Sequence, residues 1–200
     1  MEDIYKTIQS PSEGLFKDKG SRFIAYAFPV YSEEEIKERL LNLRKDHFSA
    51  RHHCYAWRLG ADKKHFRAND DGEPSSSAGK PILGQIQSFN LSNILIVVVR
   101  YFGGTLLGVS GLINAYRSAA KDAIENGQII EKTVENIILV EFGYESMNNV
   151  MKVFKDEQLP QLSTQFDMMC LIKTSVRLSD SARIQALLTK VEGVKLQILL

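Results

Sequence analysis

Ile94-Leu95-Ile96-Val97-Val98-Val99 runs without a polar break. A strand with one wet face alternates apolar and polar residues, so an unbroken aliphatic run needs cover on both faces. What flanks it is equally constraining. On its amino side lies Asn69-Asp70-Asp71-Gly72-Glu73-Pro74-Ser75-Ser76-Ser77-Ala78-Gly79-Lys80-Pro81. On its carboxyl side lie Arg100-Tyr101-Phe102-Gly103-Gly104 and Leu107-Gly108-Val109-Ser110-Gly111. Acids, hydroxyls and glycines on both sides of a buried strand build two adjoining loops whose backbones approach either a ligand or each other.

The surrounding pattern supplies layers for that strand. Arg22 to Tyr31 reads as a strand. Ser32-Glu33-Glu34-Glu35 is a capping box, and Ile36, Leu40 and Leu43 continue as an amphipathic helix to about Lys45. His53 to Leu59 reads as a strand whose hairpin partner ends near Phe66, and Pro81 to Phe89 as a short helix. Leu112, Ile113, Tyr116, Ala119, Ala120, Ala123 and Ile124 mark a helix over Val109 to Asn126, with Gly127 as its expected stop.

After Gly127 the texture changes. Val134–Phe142 reads as a strand and Met147–Phe154 as a helix ending before Pro160. Gln161–Phe166 and Cys170–Leu178 read as strands around a turn at Asp167. A helix capped by Ser179-Asp180 follows, then Gly193 and a last strand to Leu200. This is the β-α-β-β-α-β order of the ferredoxin-like pattern. The expected class is α+β, with a first domain over 1–131 and a second over 134–200.

The 200 residues carry a formal charge of +1, so nothing global favours nucleic acid or membrane. Locally, nine basic residues stand against three acidic ones between Lys37 and Arg67, a surplus of six. Cys54 and Cys170 are far apart and form no C-x-x-C pair, which suits free thiols in a reducing compartment. Met1-Glu2-Asp3-Ile4-Tyr5-Lys6 has no basic region before an apolar core, and no apolar run nears the roughly 20 residues of a membrane span. A cytoplasmic protein without membrane contact is expected. Nothing in the pattern speaks to oligomeric state.

Four chemistries compete for the loops. Gly103-Gly104 and Gly108-x-x-Gly111, between a strand and a helix, could receive an anion on free N–H groups. Their spacing matches neither G-x-x-x-x-G-K-[ST] nor G-x-G-x-x-G, and no Ser or Thr follows Lys80. Tight chain crossing explains the same glycines and is the preferred reading. Asp70, Asp71 and Glu73 are hard oxygen donors without EF-hand spacing. His52 and Cys54 share a strand face but His53 points away, and a structural zinc site wants four ligands. No metal or other cofactor is expected. Ser75, Ser76, Ser77 and Ser110 lack a G-x-S-x-G elbow, so no catalytic constellation is recognisable. Finally, the basic stretch is interleaved with Tyr55, Trp57 and Phe66. Cations beside aromatics grip single-stranded nucleic acid, while Tyr55 and Trp57 on one strand face serve equally well as core.

The blocks Asp70-Asp71-Gly72-Glu73-Pro74-Ser75, Ala78-Gly79-Lys80-Pro81-Ile82-Leu83 and Val99-Arg100-Tyr101-Phe102-Gly103-Gly104 together resemble the signature of the IMPACT (YigZ) family. Ala50-Arg51-His52-His53-Cys54-Tyr55-Ala56 and the Leu107–Tyr116 stretch match it too, so the resemblance spans about residues 15–125. It implies a first domain with the β/α sandwich of domain four of the translocating elongation factor, and the second half resembles the ferredoxin-like domain of bacterial members. Eukaryotic relatives restrain a starvation-responsive kinase that acts on translation initiation. For bacterial relatives, binding to nucleic acid or ribosomes is inferred. The chain departs from the pattern at Ser76-Ser77, where Gly-Thr is common, at Leu106, where a lysine is frequent, and at Ser110-Gly111-Leu112-Ile113-Asn114, where Gly-Gly-Leu-Val-Arg is usual. Two positive charges are thereby absent beside the glycine loops.

The expectation is a non-enzymatic protein that regulates translation by binding RNA, the ribosome or a translation-associated protein. The expected contacts are Arg51, Arg58, Lys63, Lys64, Arg100 and Tyr101. Asp70, Asp71, Glu73, Ser75, Gly79, Lys80, Gly103, Gly104, Gly108 and Gly111 are the signature-loop residues, either a site or a scaffold. The alternative is a small-molecule or phosphoryl-processing enzyme using the Asp70–Ser77 and Gly103–Gly111 loops.

Overall fold

The computed structural model describes residues 3–199. They form a mixed α/β protein with three sheets and five α-helices, and divide into two compact units: Tyr5–Lys132, and a second that begins at Thr133 and takes in Asp3 and Ile4. None of the described helices is long and apolar enough to cross a membrane.

Ile4–Ile8 (β1) pairs with Ile129–Thr133 (β7) as a two-stranded ribbon, of which Tyr5–Ile8 and Ile129–Lys132 belong to the first unit. The main sheet holds Ser12–Asp18 (β2), Ser21–Pro29 (β3), His52–Leu59 (β4), His65–Asn69 (β5) and Ile94–Tyr101 (β6), in the order β2-β3-β6-β4-β5, every pair antiparallel. The aliphatic run is thus the central strand. Because side chains alternate along it, Ile94, Ile96 and Val98 enter one core with α2 (Gly79–Ser88) and α3 (Gly108–Glu125). Leu95, Val97 and Val99 enter another, with Trp57, Leu59 and the Ile36 and Leu43 side chains of α1 (Glu33–Asp46). Both faces are covered, as the run demands.

Local chemistry explains the boundaries. Ser32 Oγ accepts from the Glu35 N–H at 3.2 Å, while Glu35 Oε2 accepts from the Tyr31 N–H at 2.9 Å, so the capping box forms with its acid reaching one residue farther back than Ser32. Two expectations are corrected. Gly127 does not end α3 through left-handed backbone, since its φ lies outside that region. A Cβ there would lie 2.8 Å from Ser12 Oγ, which itself donates to the Ala123 carbonyl at 2.7 Å. The glycine makes room for that hydroxyl. Three strands also went unanticipated: β1, β2 and β7. In β2, Gly14 stands among Glu13, Lys17 and Asp18 and breaks strand texture; a Cβ on it would meet the Ala123 backbone nitrogen at 2.3 Å, so its absence lets α3 lie directly on the strand.

The second unit runs Glu135–Phe142 (β8), a 3-10 turn at Tyr144–Ser146, Met147–Asp156 (α4), Ser163–Phe166 (β9), Cys170–Arg177 (β10), Leu178–Thr189 (α5) and Lys195–Leu199 (β11). Its sheet order is β11-β8-β10-β9, again antiparallel throughout. Ile138, Val140, Phe142 and Ile172 pack against Val150 and Phe154 of α4 and Ile184 and Leu188 of α5. The expected Ser179-Asp180 cap is not made: β10 runs straight into α5, whose first N–H, on Leu178, donates to the Val134 carbonyl at 2.8 Å. Asp180 lies inside the first turn, where negative charge still favours the helix. The end of the anticipated last strand, Leu200, lies outside the described residues.

Candidate functional site

Antiparallel pairing of β4 with β6 sets His52 opposite Arg100 and Arg58 opposite Ile94. The basic residues singled out in the sequence therefore split between two ends of the sheet. Arg51, Arg100 and Tyr101 lie at one end, beside the signature loops. Arg58, Lys63 and Lys64 lie at the other, beyond a strand of eight residues, or roughly 25 Å at about 3.3 Å per residue.

Their roles differ as well. Arg58 Nε and Nη1 donate to the carbonyls of Lys63 and Leu91, both at 3.2 Å, so this guanidinium braces a turn, and burial lowers its pKa from the ordinary value. Lys63 Nζ donates to Asn90 Oδ1 at 2.7 Å. Lys64 is exposed, as are Phe66 and Arg67 on the edge strand β5. Trp57 is buried, with Tyr55 packed against the same core, so these aromatics are core residues; Phe66 and Phe102 are 51% and 56% exposed, and Phe48, in the same basic stretch, is 86% exposed.

The three loop acids point in three directions. Asp70 Oδ1 accepts from the N–H groups of Ala78 and Gly79 at 3.0 and 2.8 Å, and its Oδ2 from Ser76 N–H at 2.8 Å. It caps α2, whose own N-cap position is an alanine with no side-chain bond. Asp71 Oδ1 accepts from Arg44 Nη2 at 2.8 Å and its Oδ2 from the His53 N–H at 2.7 Å. Burial pushes the Asp71 pKa up, but Arg44 and that N–H outweigh it and the net direction is down. Glu73 Oε1 receives Arg100 Nη1 at 2.6 Å and the Tyr116 hydroxyl at 2.8 Å. Among the described residues no group of three or more His, Cys, Asp or Glu side chains converges as a metal site.

Behind Glu73 the polar chain continues inward. Cys54 Sγ lies 3.3 Å from the Tyr116 oxygen and 3.0 Å from the Asp70 carbonyl, and its one proton serves one acceptor at a time. Burial drives the Cys54 thiol and the Tyr116 hydroxyl well above their ordinary pKa values. Sequence reasoning missed Tyr116 as a partner: it sits among the apolar positions of α3, and nothing in the letters announces a bond to a residue 43 positions away.

The glycines divide too. A Cβ on Gly79 would meet the Asn69 nitrogen at 2.6 Å, and one on Gly103 would meet the Gly20 carbonyl carbon at 1.9 Å, so both serve close backbone crossing. A Cβ on Gly111 would touch Leu107 Cβ at 3.0 Å. Gly104 and Gly108, at φ +90° and +72°, need glycine for conformation and have open space above them. Gly108 borders a cleft of about 790 Å³, lined also by Arg51, His52, Glu73, Arg100, Phe102, Leu106, Val109 and neighbours. His52 Nδ1 lies 2.9 Å from the Asp71 carbonyl, which can only accept; the Nδ1–H form is therefore fixed. Ser75 and Lys80 are exposed on the preceding loop and on the first turn of α2.

Residues 19–124 match a family model described as the Impact N-terminal domain. The IMPACT family member YigZ of Escherichia coli is 31% identical over 183 residues, covering 90% of each chain. The IMPACT family member YvyE of Bacillus subtilis is 32% identical over 154 residues, 77% of this chain and 71% of that one. A crystal structure of a hypothetical protein superposes with a TM-score of 0.75 at 27% identity, covering 100% of this chain and 99% of the other.

Proposed function

This chain belongs to the IMPACT family, and from that premise we propose that it is a non-enzymatic cytosolic binding protein that regulates translation by contacting RNA, on the ribosome or free. The observation that carries the reading is the edge of the first unit's sheet. Lys64 is exposed beside β5, and within the strand Phe66 and Arg67 are exposed on opposite faces of the sheet edge, a solvent-facing ring with cations before and behind it that suits an edge contacted by unpaired bases and their phosphates. Arg51 adds an exposed cation at the other end of β4. Arg58, Arg100 and Tyr101 position the surface, since each is tied into the unit: Arg58 by the carbonyls of Lys63 and Leu91, Arg100 through Nη1 by Glu73, and Tyr101 through its hydroxyl by His47. A non-enzymatic role accords with the loop acids, each occupied by internal donors. The first unit is read as the sandwich of domain four of the translocating elongation factor. The second is read as a ferredoxin-like domain, supported by its β-α-β-β-α-β order and the β11-β8-β10-β9 sheet.

The test is co-sedimentation with ribosomes and total RNA across a salt series, for the parent chain, the triple variant Lys64→Ala/Phe66→Ala/Arg67→Ala, and Arg51→Ala. Binding should fall steeply with salt, and losing the two β5-edge cations should flatten the logarithmic slope by about 0.7–0.9 per phosphate contact. Binding that ignores salt, or no binding at any salt, sinks the RNA reading. A protein recovered from ribosome-free extract with no RNA requirement would replace it with a protein partner.

A further inference from the structure

We propose that the cleft between β6 and α3 binds a small organic acid, a single carboxylate carried on an apolar body. The argument starts from charge. The fixed charges lining the cleft are Arg51, Arg100 and Glu73, and Glu73 is taken up by Arg100 at 2.6 Å. Arg51, exposed and without an ion-pair partner among the described residues, is what remains for a ligand: one positive charge.

To that is added the amino end of α3, an 18-residue helix. Leu107 at its cap position offers no side-chain bond, and no acidic residue occupies its first turn, so the leading N–H groups face the cleft mouth with the positive end of the helix dipole. Gly108, which lines the cleft, leaves that approach clear of any Cβ. An independent observation points the same way. Arg100 lines the cleft, is 7% exposed, and its buried Nε has no hydrogen-bond partner among the described residues, although Nη1 is satisfied by Glu73. A guanidinium held beside the cleft with a donor unmet is an incomplete polar site.

The rim sets the rest of the ligand. Phe102, Leu106 and Val109 are 56%, 81% and 53% exposed around this hole, and large apolar side chains gathered at a concave surface favour an apolar body. A phosphate dianion fits poorly: it would bring two negative charges to one free cation, with Glu73 nearby. A monoanion balances the site. This inference stands apart from the RNA reading, because the β5 edge takes no part in it.

The experiment is amide-resolved NMR titration of the full chain. The probes are hexanoate and 3-phenylpropionate, with hexanamide, inorganic phosphate, adenosine monophosphate and a short peptide ending in leucine as comparators. Saturable shifts from the two acids, centred on the amides of Gly104, Gly108, Val109 and Ser110, are expected, with hexanamide weaker by at least about 10-fold, the loss of a charge-assisted contact. Arg51→Ala and Val109→Glu change exposed side chains; each should weaken hexanoate by about 10-fold while leaving amides elsewhere in place. The proposal is overturned if the acids leave those amides unmoved, if hexanamide binds as well as hexanoate, or if both variants bind like the parent. Tighter binding by phosphate or the nucleotide overturns the monoanion argument. Binding by the peptide acid alone overturns the small-molecule assignment.

Discussion

Glu73 and Arg100, 27 residues apart, share a buried ion pair at 2.6 Å, with side chains only 4% and 8% exposed. The pair joins the acidic loop before α2 to the end of the central strand. Two aromatic rings bracket its cation: the Arg100 Cζ lies 5.5 Å from the Phe23 centroid and 5.6 Å from that of Phe102.

Breaking such a pair from one side strands the other charge out of water. Glu73→Ala should therefore lower unfolding stability by about 3–5 kcal/mol, whereas Glu73→Leu with Arg100→Met should cost less than either single change. Urea denaturation of the cycle checks this. Additive losses would mean the pair is not coupled.

Cys54 lies at the inner end of the same network, buried and with its thiolate strongly disfavoured; Cys170 is buried in the second unit. Neither thiol should react with a disulfide reagent in native buffer near pH 8, and both should react once the chain is unfolded. Time-resolved thiol titration with and without denaturant reads this directly. Rapid native labelling of one thiol would contradict the burial described.

His53 is buried on the α1 side of β4, and neither ring nitrogen has a hydrogen-bond partner among the described residues. Burial first, then the nearby Arg44, hold its pKa below the ordinary 6.5, against an opposing pull from Asp71. The unfolded chain thus takes up a proton more readily than the folded one, and the stabilising contribution, present above about pH 6.5, is lost as pH falls through that value. Stability of the first unit should decline as pH falls from about 6.5 toward the lower pKa of the folded state, and His53→Phe should decline less. Equal slopes in chemical denaturation at several pH values would rule His53 out as the source.

Legibility in the sequence followed the range of the forces involved. Ile94–Val99 and the Ser32–Glu35 box were readable because periodicity and capping act over a few residues. β2 was hidden because Gly14 answers to α3, more than a hundred positions later, and not to its own strand. The site divides the same way. The acids and glycines of the signature stood out by composition, but which of them serve as scaffold depended on partners distant in sequence, as with Asp70 at the head of α2 or Glu73 beneath Tyr116. Arg58 had the letters of a surface cation; only the carbonyls of Lys63 and Leu91 reveal it as a brace.

Gly103 sits so close to Gly20 that neither chain can shift toward the other, and this fastens the loop after β6 at one point. Downstream of the fastening, Leu106 projects into solvent and Val109, on the first turn of α3, is half exposed. Anchoring and the cleft rim are thus carried by different residues, Gly103 on the one hand and Leu106 and Val109 on the other. Substitutions at positions 106 and 109 can reshape the cleft rim while the sheet beneath stays as it is, so this rim can vary in sequence without passing through unstable intermediates.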